Sequence, residues 1–142
     1  MLPSFLSPIV RPEQSGQSNL TVQRGVQLWM TYVQPLKGQG IKLGSPAPSS
    51  APAGKAWLQN FLSLCGGNCT VDFVALHWYG INSTQFVEYL QDFHNTFQLP
   101  IWVTEWACQV DTSSLHLRLS FVSKPIYCRT TSMCPNNVRN KM

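Results

Sequence analysis

The chain has 142 residues, of which 44% are hydrophobic, enough to bury the core of one domain. Only 11% are charged, and the net charge of +4 arises entirely beyond residue 109, because residues 1–109 balance five bases against five acids. A basic tail without a basic helix or an aromatic sheet motif excludes a nucleic-acid-binding reading, and no apolar run is long enough to span a membrane.

In chain order, "MLPSFLSPIV" has no basic start and is interrupted by Pro3 and Pro8, so it does not read as a secretory leader. Residues 22–36 place Val22, Val26, Trp29, Val33 and Leu36 at helical spacing, with Gly38 and Gly40 ending the segment. "IKLGS" (41–45) reads as a short strand and "PAPSSAPAG" (46–54) as a loop. A second helix over 55–65 turns Trp57, Leu58, Phe61, Leu62 and Cys65 inward. "VDFVALHW" (71–78) is a strand. Asn82-Ser83-Thr84 forms an N-cap cluster for a third helix, whose stripe is Phe86, Leu90, Phe93 and Phe97. Leu99-Pro100 ends it, and "IWVTEW" (101–106) is the next strand. "SLHLRLSFV" (114–122) alternates like an edge strand within an otherwise irregular tail.

Five cysteines lack the paired CxxC spacing of a zinc site, so no metal and no cofactor is expected. "CGGNC" can close a small disulfide loop across Gly66 and Gly67. Three Asn-X-Thr sequons, at Asn19, Asn68 and Asn82, accompany the cysteines and point to a secretory origin, with the natural start lying outside this chain.

The strands begin near residues 41, 71 and 101, about thirty residues apart with a helix before each, which is the spacing of β–α units in a parallel sheet or barrel. Such folds collect their chemistry at the carboxyl ends of the strands. Ser45, His77-Trp78-Tyr79 and Glu105-Trp106 occupy those ends, so they are the candidate site. Glu105 stands between Trp102 and Trp106 in a chain with six acids, a poor place for a solvated carboxylate. Trp78 and Trp106 are either core residues or stacking platforms for sugar rings. Glu88 and Asp92, four apart on a polar helix face, read as surface, Asp72 at a strand entrance as structural, and His94 as surface.

"QSGQSNLTVQRGVQLWMTYVQPLKGQGIKLGSPA", "VDFVALHWYG" and "WVTEWAC" together resemble the fungal glycosyl hydrolase catalytic core of glycoside hydrolase family 128, over roughly residues 12–109. The resemblance implies an α/β fold, a partial (β/α)8 TIM barrel comprising roughly strands four to seven with their helices. It further implies secretion to the extracellular space or cell wall, β-1,3-glucan as the partner, and retaining endo-hydrolysis. Glu105 takes the position of the family's nucleophile. His77, Trp78 and Tyr79 match the run that lines the glucan subsites, with Tyr79 in reach of the nucleophile and Trp106 beside it; Ser45 joins them at the rim.

The chain departs from the family at both ends. The family's acid/base glutamate lies in an Asn-Glu-Pro-[Asp/Glu] motif, but here Val10 and Arg11 precede Pro12. A guanidinium does not release its proton at working pH. Glu13 shares the strand parity of Arg11 but would substitute only if the turn were rebuilt. Residues 110–142 fall outside the family pattern. The expected organisation is a catalytic-core segment over 1–109 and an irregular, foreign tail over 110–142. The expected function is that of a family 128-like protein with its nucleophile strand but without its acid/base; the alternative is a non-catalytic glucan-binding wall protein.

Overall fold

The computed structural model describes residues 5–7 and 9–107. They form β1 (Phe5–Leu6), α1 (Val22–Leu28), a π-helical turn (Trp29–Val33), a 3-10 turn (Gln34–Gln39), β2 (Lys42–Leu43), α2 (Pro52–Cys65), β3 (Val74–Tyr79), α3 (Ser83–Phe97) and β4 (Ile101–Ala107). The boundary near 109 and the tail beyond it lie outside the described residues.

Every pairing among the described residues is parallel. β1 lies beside β2, with Phe5 opposite Lys42, and a bridge from Val10 to Ala47 continues that pair toward the carboxyl end. β3 lies beside β4, and a bridge from Gly44 to Phe73 joins the two pairs. The strands therefore follow one another in chain order, each separated from the next by helix. This is the α/β organisation expected from the thirty-residue spacing.

The helical segment after residue 21 is less regular than its stripe suggests. Thr21 caps α1 by accepting the Arg24 N–H, and regular helix ends at Leu28. The backbone then widens into the π turn and tightens at Gln34-Pro35, where proline has no N–H to continue the ladder. Gly25 lies on the buried face of α1, where a Cβ would stand 2.7 Å from the Trp57 ring. That contact lets α1 pack closely on α2. Trp29 and Trp57 both pack on Phe61, and each indole N–H is satisfied, by Gln34 Oε1 and by the Leu20 carbonyl respectively.

The expected loop at 46–54 is not a surface loop. Pro46, Pro48 and Ser49 are buried, because the chain runs on in extended form past β2 and Ala47 still pairs with the first strand. α2 begins at Pro52, where the missing N–H of proline costs nothing in the first turn. It ends at Gly66, in the left-handed region (φ 55°), and a Cys65–Cys69 disulfide closes the following turn. Asn82 Oδ1 accepts the Thr84 and Gln85 N–H groups at the start of α3. The buried stripe of α3 is Phe86, Tyr89 and Phe93; Leu90 and Phe97 are half-buried at its margin.

The two faces of the sheet are distinct. Leu43, Val74 and Leu76 face the helices and join Trp29, Trp57, Leu58, Phe61, Tyr89 and Phe93 in the main core. Ala47, Phe73 and Ala75 lie on the other face with Trp102, whose ring stacks on Phe73 at 4.3 Å. By strand alternation His77 and Tyr79 continue this second face toward the carboxyl end of β3. Asp72 closes the opposite end. Its carboxylate accepts the Leu43 N–H and pairs with Lys37, so it is structural.

Candidate active site

Glu105 reaches the face of His77 and Tyr79 through an irregularity in β4. Leu76 pairs with Val103, but the next pair is His77 with Glu105, so Thr104 is an extra residue in the ladder. A single bulged residue reverses the alternation that follows it. Trp102 and Glu105, three residues apart, thereby share one face. Thr104 Oγ1 donates back to the Leu76 carbonyl at 3.3 Å, beside the irregularity.

Three side chains converge on one carboxylate oxygen of Glu105. The Tyr79 hydroxyl donates to Oε2 at 2.9 Å. Nδ1 of His77 lies 3.2 Å from the same atom, without the alignment of a hydrogen bond. Arg11 Nη2 stands 3.9 Å away. The Arg11 guanidinium also lies over the Tyr79 ring, 4.8 Å from its centroid, within cation–π range. Arg11 itself has φ 44°, a left-handed conformation that is strained for a long side chain.

Exposure divides the cluster. His77 is 3% exposed whereas the Glu105 side chain is 42% exposed, so the carboxylate stands at the open end of the strands over a buried imidazole. Burial pushes the His77 pKa below its ordinary value, outweighing the attraction of Glu105, and Arg11 lowers it further. The imidazole is thus held neutral. Burial, reinforced by the hydrogen bond to Glu105, raises the Tyr79 pKa, so the phenol remains a donor to the carboxylate.

The other rim candidates go elsewhere. Ser45 is fully buried; its hydroxyl donates to the Pro46 carbonyl and accepts the Ala75 N–H, which ties β2 to β3 and leaves it no access to the cleft. Trp78 alternates to the helix face, where its ring packs at 5.5 Å from Phe86 and 5.4 Å from Tyr89. It packs, partly buried, against the main core and is not a platform beside Glu105. Trp106 is the register partner of Trp78, so it turns away from Glu105, and it is 38% exposed. Glu13 makes its hydrogen bond elsewhere, with Oε1 accepting the Ser49 N–H at 3.0 Å, but it is near enough for its charge to act on His77. Its Oε2 is buried without a hydrogen bond among the described residues.

Sequence reasoning placed Arg11 at the position of a missing acid but not in contact with both Glu105 and Tyr79. A signal was available. Val10 and Arg11 continue the first strand, and a side chain at its end reaches the same rim as β3 and β4.

Known proteins resemble this chain in sequence and fold. The profile of the glycosyl hydrolase catalytic core matches residues 9–123. Alkali-sensitive linkage protein 1 of Schizosaccharomyces pombe is 38% identical over 100 residues, which is 68% of this chain and 18% of the relative. Among solved structures, a family 128 (subgroup VI) exo-β-1,3-glucanase from Aureobasidium namibiae superposes with a TM-score of 0.68 at 27% identity, covering 79% of this chain and 44% of that one. A family 128 (subgroup VII) oligosaccharide-binding protein from Cryptococcus neoformans gives 0.67 at 29% identity, covering 80% and 45%. The chain thus spans a small part of the curated relative and under half of these solved structures. It belongs to the glycosyl hydrolase catalytic core family.

Proposed function

We propose that this chain recognises β-1,3-glucan at the cleft of Glu105, Tyr79 and Arg11, and that it does so without hydrolysing it at an enzyme-like rate. In this reading the described segment corresponds to strands four to seven of a (β/α)8 barrel. Glu105 occupies the nucleophile's place, and Tyr79 and His77 hold its carboxylate in position.

One observation carries the reading. Retaining hydrolysis uses two carboxyl groups about 5–5.5 Å apart, one to attack the anomeric carbon and one to protonate the departing oxygen. Here the side chain that faces Glu105 from the first strand is the guanidinium of Arg11, 3.9 Å away. It can donate hydrogen bonds to sugar hydroxyls, and it attracts a carboxylate, but it cannot deliver a proton to a leaving group. Glu13, the nearest acid in sequence, is bonded to Ser49.

The relatives support both halves of the reading, since one is described as an exo-β-1,3-glucanase and another as an oligosaccharide-binding protein. The Cys65–Cys69 disulfide supports an oxidising destination, extracellular or in the cell wall. The test compares retention on insoluble β-1,3-glucan with reducing-end release from laminarin. Retention without release supports the proposal, whereas neither retention nor release removes the glucan reading.

A further inference from the structure

We propose that Asn19 and Asn82 are N-glycosylation sites, and that the third sequon, at Asn68, is closed by its own disulfide turn. The proposal rests on passage of the chain through a secretory pathway. The reaction joins Nδ2 of asparagine to the anomeric carbon of a lipid-pyrophosphate-linked oligosaccharide. The C–O bond to pyrophosphate breaks, and one amide proton is lost. A usable sequon therefore needs an accessible Nδ2 and a hydroxyl two residues on.

Asn82 meets both needs while performing a structural task. It is exposed, and its cap of α3 uses only Oδ1, which accepts from the Thr84 and Gln85 N–H groups at 2.9 and 3.1 Å. Glycosylation consumes an Nδ2 proton and leaves Oδ1 as an acceptor, so the cap survives the modification. Ser83 and Thr84 are exposed as well. Asn19 is exposed at the left-handed corner of a turn (φ 44°), and its backbone N–H is fixed to the Gln14 carbonyl. Thr21 Oγ1 only accepts, from the Arg24 N–H, so its own proton stays available.

At Asn68 the amide itself is engaged. Nδ2 donates to the Cys65 carbonyl at 3.0 Å, and Cys69 beside it is bridged to Cys65, so the asparagine is held inside the disulfide turn; the Thr70 hydroxyl, which accepts from Gln34 Nε2, keeps its own proton as Thr21 does. A glycan on Asn82, three residues beyond Tyr79, would stand beside the Glu105 cleft and narrow what can approach it from α3.

The experiment supplies the full 142-residue chain with a heterologous cleavable leader in a eukaryotic secretory host. Entry is then imposed, and the result is independent of how the natural protein is routed. Peptides from the secreted and the endoplasmic-reticulum fractions are mapped after peptide N-glycosidase in heavy-oxygen water, which labels each formerly glycosylated asparagine. Label at Asn19 and Asn82 and none at Asn68 is expected. Thr84→Ala, which keeps the Asn82 cap but destroys the sequon, should lose the label at Asn82 alone. Cys65→Ser, which opens the turn, should make Asn68 a labelled site. Unlabelled Asn19 or Asn82, label on Asn68 in chains that retain the disulfide, or an unlabelled Asn68 in Cys65→Ser would each overturn the proposal.

Discussion

Glu105 faces His77 across the β3–β4 pair because Thr104 is left out of the register, and Oε2 comes within 3.2 Å of the buried imidazole. The juxtaposition sets a half-exposed carboxylate over a neutral ring and under a tyrosine donor. Such an arrangement orients one carboxylate oxygen, as an attacking or hydrogen-bond-accepting group requires. The same bulge sets the face of β4 from which Glu105 meets Arg11, so the geometry of the cleft depends on a backbone feature as much as on its side chains.

Because the folded-state pKa of His77 lies below the 6.5 of the free side chain, the fold favours the neutral imidazole. Its contribution to stability is therefore full above that unfolded value. It is lost as pH falls below 6.5 and through the folded pKa, since the unfolded chain takes up the proton first. Glu105 and Glu13 oppose this shift, and Arg11 reinforces it. Urea midpoints measured between pH 8 and pH 5 should fall more steeply for the unmodified chain than for His77→Gln. Parallel curves would show that His77 does not titrate with folding.

Gly25→Ala should destabilise the protein even though it improves helix propensity. Alanine gains about 1 kcal/mol over glycine in a helix. Here, however, the new methyl would meet the Trp57 ring at 2.7 Å, and that ring is stacked on Phe61 and tethered to the Leu20 carbonyl. Overpacking of a well-filled contact costs about 1–3 kcal/mol. Chemical denaturation should give a net loss, and Trp57→Phe in the same chain should recover part of it by clearing the contact.

Gln34 links three elements. Its Oε1 accepts from the fully buried Trp29 indole and from the Thr70 N–H, while its Nε2 donates to the Thr70 hydroxyl. Gln34→Met preserves the shape of the side chain but orphans those donors, at a cost of about 1–3 kcal/mol for each group left buried and unpaired. Urea unfolding should show a loss of stability of that size, seen as a lowered midpoint. Trp29→Phe, which removes the indole donor, should shrink the penalty when combined with it.

The β–α spacing was legible because apolar stripes and helix stops recur along residues 22–106, and the Asn82 cap could be read from its residue types. Strand alternation alone separates Trp78 from His77 and Tyr79, yet indoles at a strand end invite a platform reading until α3 is seen to cover one of them. Ser45 misled for a different reason. The chain continues in extended form to Ala47, so the residue that ends the apolar run is not the end of the strand. The bulge at Thr104 carries no glycine or proline to announce it. Tyr89 displaces Leu90 from the centre of the α3 stripe because a helix advances by 3.6 residues per turn, and both positions satisfy the pattern.

Arg11 leads to the most demanding prediction. On the proposed reading, in which the Arg11 guanidinium takes the place of the acid, the unmodified chain should release reducing ends from laminarin no faster than its Glu105→Gln variant. Loss of general acid assistance costs on the order of 10²–10⁴-fold in rate. The Val10→Asn, Arg11→Glu double variant restores the motif, but placing two carboxylates beside each other also requires that the turn bearing Arg11, now at φ 44°, hold the new glutamate near Glu105. Substrate must also be held in line with both groups for the attack. The double variant is therefore expected to remain inactive in this chain, and, because Arg11 and Glu105 belong to the proposed recognition cleft, it and Glu105→Gln should be retained on insoluble β-1,3-glucan less tightly than the unmodified chain. Turnover by the unmodified chain that vanishes in Glu105→Gln would overturn this outcome and make Glu13 the acid to examine. It would require Glu13 to leave its bond to the Ser49 N–H and swing toward Glu105 when glucan binds.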